Sequence, residues 1–141
     1  IDIHDYLNAG ADGVQMSTRF VTTVECDAHE DYKKAYIDAK EEDIVIVKSP
    51  VGMPGRAIRN AFIKKLEING KEKIDNCYQC LKGCNPAETP YCITSKLINA
   101  VKGDLDNGLI FVGANAWKND KIQTVKEVMD QIQVEYNSAF A

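Results

Sequence analysis

Apolar positions along this chain recur mostly at helical spacing, broken by short runs that fit strands. An amphipathic run ends at Leu7-Asn8-Ala9-Gly10, where Gly10 has the character of the glycine that closes a helix. Residues 13–16 then predict a short apolar strand, and Ser17-Thr18 a small-residue turn that opens another helix. Phe20, Val21 and Val24 carry that helix to Cys26. Asp27, with Glu30 three positions on, predicts an N-cap and capping box for a helix over 28–40 that buries Tyr32, Ala35, Tyr36 and Ala39. The run Ile44-Val45-Ile46-Val47 is long enough for a buried strand and too short for a helix. Two prolines and two glycines make 49–55 a loop. Ala57, Ile58, Ala61, Phe62, Ile63 and Leu66 predict a third helix, starting at Arg56 and closed by Asn69-Gly70.

The second half alternates in the same way. A polar, lysine-rich connector at 67–76 leads to a cysteine-bearing segment at 77–92. A helix over 93–101 should turn Leu97, Ile98 and Val101 inward and end at Gly103. Residues 104–108 form a turn, and 109–112 are a short buried strand or packed coil. Gly113-Ala114-Asn115-Ala116-Trp117 is a second small-residue turn. The last helix is expected over 120–136, with Ile122, Val125, Val128, Met129 and Ile132 on one face. No internal repeat or low-complexity segment interrupts this α/β pattern.

Composition narrows the class. With 45% hydrophobic and 27% charged residues the chain has a globular profile, and its net charge of −4 offers no bulk basic field for nucleic acid or an anionic membrane. No apolar run approaches the roughly 18 residues of a membrane span. Clustered cysteines without a secretion pattern point to the cytoplasm. The expected partner is a small-molecule substrate, with neither nucleic acid nor membrane.

The run Gly10-Ala11-Asp12-Gly13-Val14-Gln15-Met16-Ser17-Thr18-Arg19-Phe20 carries the most chemistry. A small-residue turn opening a helix leaves backbone N–H groups unpaired where the macrodipole favours an anion, and a phosphate is the natural guest. These residues resemble the last phosphate-binding loop of the flavin-dependent nitronate monooxygenases, also called 2-nitropropane dioxygenases, and of their enoyl-ACP reductase relatives. The run 52–62, the stretch from Tyr91-Cys92-Ile93 to Gly103-Asp104, and Gly108 to Ala116 resemble later segments of that family, in the same order. The resemblance implies an α/β fold: the C-terminal fragment of a flavin-binding TIM (β/α)8 barrel with a helix-rich extension. Residues 1–26 would be the last helix–strand–phosphate-loop unit and 27–141 the helix-rich region with its cysteine loop at 77–92. A whole barrel takes about 250 residues, so 141 residues are read as part of one. A strand at 13–16 without sequential neighbours would expose an edge and invite self-association.

By resemblance, Gln15, Met16, Ser17 and Thr18 bind FMN through its phosphate. Ser17 stands where the family usually has glycine, which fits only if φ there is negative. The competing account is a structural N-cap by Ser17 or Thr18, and for Arg19 an ion pair with a nearby carboxylate rather than a phosphate clamp. The implied reaction is oxidation of an alkyl nitronate with O2; the alternative keeps fold and FMN but reduces an enoyl thioester with NAD(P)H. Neither His4 nor His29 fits the family's proton-abstracting histidine, so no catalytic residue is expected in this stretch. Separately, Cys77-x2-Cys80-x3-Cys84-x7-Cys92 has the spacing of a zinc or iron–sulfur site, and its first three members match a pattern some flavin barrel reductases use for a four-iron cluster. Reduced packing cysteines or a disulfide are the alternatives, and a metal-clip interaction module is the reading of a different class. Cys26 is a small buried apolar residue.

Overall fold

The computed structural model describes residues 2–138, so the extremes of the two expected units, Ile1 and 139–141, lie outside it. Six helices and two strands follow in the order α1 (Asp2–Asn8), α2 (Thr18–Val21), α3 (Glu30–Asp38), β1 (Ile44–Val47), β2 (Gly55–Ile58), α4 (Ala61–Asn69), α5 (Ile93–Val101) and α6 (Val125–Ser138). Single 3-10 turns occupy Glu41–Asp43 and Ala116–Lys118.

The strands form an antiparallel pair with Ile44 opposite Ile58 and Val47 opposite Gly55. Residues 109–112 run along the other edge of β2. The Ile58 amide donates to the Ile110 carbonyl at 3.0 Å, the Val112 amide to the Arg56 carbonyl at 2.9 Å, and Ala57 bridges to Phe111. Strand periodicity then sorts side chains to two faces. Ile58 and Ile110 join Tyr36, Ala39, Ala100 and Ala116 in one buried cluster, while Ala57 and Leu109 join Val47, Phe62, Ile63 and Tyr91 in the other. The sheet is thus a partition between α3 on one side and α4 with the Tyr91 segment on the other. Gly108 lets this layer close: a Cβ there would lie 2.6 Å from the Ala100 Cα and 2.7 Å from the Asp104 carbonyl oxygen, both backbone atoms.

Several expectations need correction. The third helix does not start at Arg56. Residues 55–58 are β2, because pairing with β1 and with 109–112 satisfies their backbone on both edges, and α4 begins only after Asn60. Asp27 is not a cap. The α3 N-cap is His29, whose Nδ1 accepts from the Asp31 amide at 3.2 Å, and the helix ends at Asp38. β1 is only half covered: Val47 is buried but Ile46 is 64% exposed. In α5 the inward residues are Lys96 and Ala100, while Val101 is exposed. The last helix starts at Val125, with Thr124 and Glu127 as its capping box: the Glu127 amide donates to Thr124 Oγ1 at 3.1 Å and the Thr124 amide to the Glu127 carboxylate at 2.7 Å. Met129 lies outward at 52% exposure. Three helix-ending glycines match their expectation, Gly10 with φ 97°, Gly70 with φ 69° and Gly103 with φ 91°.

Two buried tyrosines tie the layers together. Tyr36 donates its hydroxyl to the Phe111 carbonyl at 2.9 Å and takes a hydrogen bond from Tyr32. Tyr91 donates to the Lys48 carbonyl at 3.0 Å. Burial raises both phenol pKa values, that of Tyr91 to about 12 and that of Tyr36 further. An unfolded tyrosine ionises near pH 10. The folded chain therefore holds two more protons than the unfolded one above that pH, and stability falls as pH rises from about 10 toward 12. In an ultraviolet tyrosinate titration, two of the six tyrosines should stay protonated until the protein unfolds. Six ionising together near pH 10 with the fold intact would contradict this packing.

Candidate functional site

Residues 13–17 carry no regular secondary structure, where a strand was expected over 13–16. A strand exists only through ladder partners, and among the described residues none is paired with 13–16. The strand edge invoked for self-association is therefore not formed. Gln15 and Ser17 are exposed, and Met16 and Thr18 half-buried. The coil ends where predicted, at a helix start: Ser17 precedes the single turn of α2, and the Phe20 amide closes that turn on the Ser17 carbonyl at 2.9 Å. The expected helix to Cys26 is cut to one turn, because Thr22 and Thr23 turn their hydroxyls back onto the Arg19 and Phe20 carbonyls.

Three features bear on anion binding. Ser17 has φ −127°, so its Cβ is accommodated without strain, and it makes no side-chain cap bond. The structural N-cap account thus lacks its defining contact at Ser17. Thr18 Oγ1 instead accepts the Gly113 amide at 2.9 Å. That bond occupies the oxygen and leaves the hydroxyl hydrogen to be donated elsewhere. A Cβ on Gly113 would lie 3.2 Å from this oxygen, so the second small-residue turn is small where it meets the first. Arg19 turns away from the loop, donating to Glu135 at 3.2 Å and to Gln131 at 3.0 Å on α6. This is the carboxylate pairing expected of a structural arginine, and it anchors α2 to the last helix. A parallel bridge between Thr23 and Gln123 adds a second tie, with the Val24 amide on the Gln123 carbonyl at 2.9 Å. The Glu25 carboxylate accepts the Val125 amide at 2.9 Å. Sequence reasoning missed Glu25, Thr124 and Glu127; the Thr124-x-x-Glu127 spacing was the available signal.

Both histidines serve locally. His29 caps α3 and packs against Gly103, while His4 contacts Asp5 and Asn8 on α1.

All four clustered cysteines come to one place. Cys77, Cys80, Cys84 and Cys92 line the same small cavity of about 20 Å³, between the cysteine loop and the start of α5. They are free thiols, Cys77 and Cys80 exposed and the other two half-buried. The expected ligand set is not preassembled: among the described residues no three His, Cys, Asp or Glu side chains are gathered closely enough to hold a metal ion. Cys26 is half-buried. No described helix is long and apolar enough to cross a membrane.

The chain is 46% identical over 98 residues to a probable nitronate monooxygenase of Staphylococcus saprophyticus, covering 70% of this chain and 23% of that protein. A probable nitronate monooxygenase of Staphylococcus aureus strain Newman is 44% identical over 57 residues, 40% of this chain and 16% of that one. The chain therefore spans about a quarter or less of these curated relatives. Among solved structures, FabK from Thermotoga maritima superposes with a TM-score of 0.73 at 32% identity, over 95% of this chain and 40% of FabK. A variant of the same FabK gives 0.72 at 28% identity, over 96% and 38%. The family profile described as nitronate monooxygenase matches residues 1–135, nearly the whole chain, and the chain belongs to that family.

Proposed function

We propose that this chain forms the phosphate-binding edge of an FMN-dependent oxidoreductase of the nitronate monooxygenase type, together with the region that follows its barrel. The observation that carries the reading is the loop at 15–18: it meets a helix start with its serine uncapped and its threonine oriented by the Gly113 amide, in a chain matched to the family over residues 1–135. The loop suits a phosphate. Its unpaired helix-start amides and the Thr18 hydroxyl are donors, and neither Glu135 nor Gln131 competes there because both engage Arg19 from outside. Gln15, Met16, Ser17 and Thr18 would hold the phosphate end of FMN. Bound flavin would supply the electron transfer by which an alkyl nitronate is oxidised with O2. The coil at 13–17 would become a barrel strand once neighbouring strands pair with it.

The discriminating ligand pair is FMN against riboflavin, which lacks only the phosphate. The protein carrying this chain should bind FMN the more tightly, and Thr18→Val should erase about 1–2 kcal/mol of that preference, roughly 10-fold, while leaving riboflavin binding unchanged. Equal affinity for the two flavins, or a Thr18→Val preference equal to wild type, would sink the phosphate-loop assignment. This chain alone should bind neither stoichiometrically, since the loop is only one edge of a site. Oxygen uptake with an alkyl nitronate is the expected activity. NAD(P)H-driven reduction of an enoyl thioester without it would overturn the nitronate part of the reading.

A further inference from the structure

We propose that the cysteine loop is a binding site for one soft, thiophilic divalent cation, with Cys77, Cys80, Cys84 and Cys92 as ligands and zinc as the probe. Four of the chain's five cysteines border one cavity, and about 20 Å³ is room for a single guest of water size. The excursion that carries them is closed at its neck: the Glu72 amide donates to the Pro90 carbonyl at 2.8 Å, and Lys71 bonds the Ala87 carbonyl. Between these ties, residues 73–89 contain no helix or strand, only turns such as Cys84 amide to Leu81 carbonyl at 3.2 Å. A structureless loop of this length inside a compact body is uncommon without a function or a staple.

Two local features border the cavity. Inside the C-x2-C pair, Gln79 has φ 50°, the sole non-glycine residue with positive φ among the described residues, and its amide is directed at the Cys77 sulfur at 3.4 Å. That contact fixes the first C-x2-C sulfur beside the cavity that both residues line. On the cavity wall, Thr89 Oγ1 is buried without a hydrogen-bond partner, although a buried hydroxyl normally has one. A bound thiolate would accept a hydrogen bond from that hydroxyl. The sulfurs are not gathered beforehand, so ligation draws the exposed Cys77 and Cys80 inward until each lies about 2.3 Å from the ion. Binding is then coupled to ordering of the loop. Each thiol passes its proton to solvent as its sulfur bonds the ion, and no group changes oxidation state.

The test uses the full chain, reduced and freed of metal, then titrated anaerobically with zinc or cobalt. We expect about one ion per chain, a sulfur-to-cobalt charge-transfer absorption, and five thiols open to a thiol reagent before the ion but one after it. Cys80→Ser or Cys84→Ser should weaken zinc binding by more than the roughly 10–100-fold that loss of an outer partner costs, Thr89→Val should fall within that range, and Cys26→Ser should change nothing. Thiol protection in the unmutated chain keeps the test decisive if a variant fails to fold. Five thiols reacting equally with zinc present, or formation of disulfides in air with no ion retained by the reduced protein, would overturn the proposal. Neither result bears on flavin binding, which the FMN and riboflavin comparison tests separately.

Discussion

Phe62→Ala should be the most damaging single substitution in the core, costing about 3–5 kcal/mol and lowering Tm by roughly 10–15 °C. The ring is 1% exposed and meets Tyr91 edge to face, with centroids 5.3 Å apart at 86°. On another side the Lys96 ammonium lies 4.9 Å from its centroid. Lys96 is itself 8% exposed and ion-paired with Glu72, so its charge is held between a carboxylate and a ring face. Deleting the ring therefore opens a cavity, frees Tyr91 and removes one of the two partners of a nearly buried cation. Phe62→Leu separates these effects. It refills much of the space and loses only the ring-specific part, about 1 kcal/mol. Denaturant unfolding measures both variants. An alanine variant within 1 kcal/mol of wild type would mean that α4 does not pack on the Tyr91 segment in solution.

Asn60→Ala should come next, at about 2–4 kcal/mol, from a side chain that a burial ranking overlooks. Its Oδ1 accepts the Ile63 amide at 3.1 Å and so caps α4. Its Nδ2 donates to the Leu105 carbonyl at 2.7 Å and the Gly108 carbonyl at 2.8 Å. One residue thus ends β2, starts α4 and pins the turn that delivers 109–112 to the sheet. Loss of the cap alone costs about 1 kcal/mol, and each stranded carbonyl adds about as much. Asn60→Asp is the informative control. It keeps the cap acceptor but replaces two donated hydrogen bonds with a carboxylate facing two carbonyl oxygens, so it should be no more stable than the alanine variant near neutral pH and should recover as the acid protonates. If Asn60→Asp unfolds like wild type at neutral pH, the cap is the whole contribution and the turn is held by other contacts.

Asn60 also shows where pattern reading went astray. Ala57, Ile58, Ala61 and Phe62 are spaced as one face of a helix, and local spacing contains nothing to say that the first two belong to a strand. The deciding contacts come from Ile44 and Ile110, both distant in sequence. The same holds at α5. Helical spacing marked Leu97 and Val101 as inward, but the helix is rotated so that Lys96 covers Phe62 and Ala100 takes the close approach of Gly108. A buried lysine becomes intelligible only once its carboxylate and ring partners are placed around it. Capping was legible in principle at Thr124-x-x-Glu127, but Asp120 drew the start of α6 too early.

In the candidate site, short-range rules and long-range packing divided the outcome cleanly. Gly10 ending a helix, the turn at Ser17 and Thr18, the break at 49–54 (one residue short of the expected loop, since Gly55 pairs into β2), and the cysteine spacing follow from residues within a few positions of one another. Backbone sterics and capping chemistry act over that distance, so the chain's own order determines them. Three outcomes were decided elsewhere. The Thr18 hydroxyl is oriented by an amide at Gly113, Arg19 is claimed by α6, and residues 13–16 stay unpaired. The four cysteines reach one cavity only because Glu72 and Pro90 close the neck of their loop and α5 brings Cys92 to its wall. Hydrogen bonds, ion pairs and strand ladders between distant segments depend on where folding brings their partners, and no local pattern encodes that position.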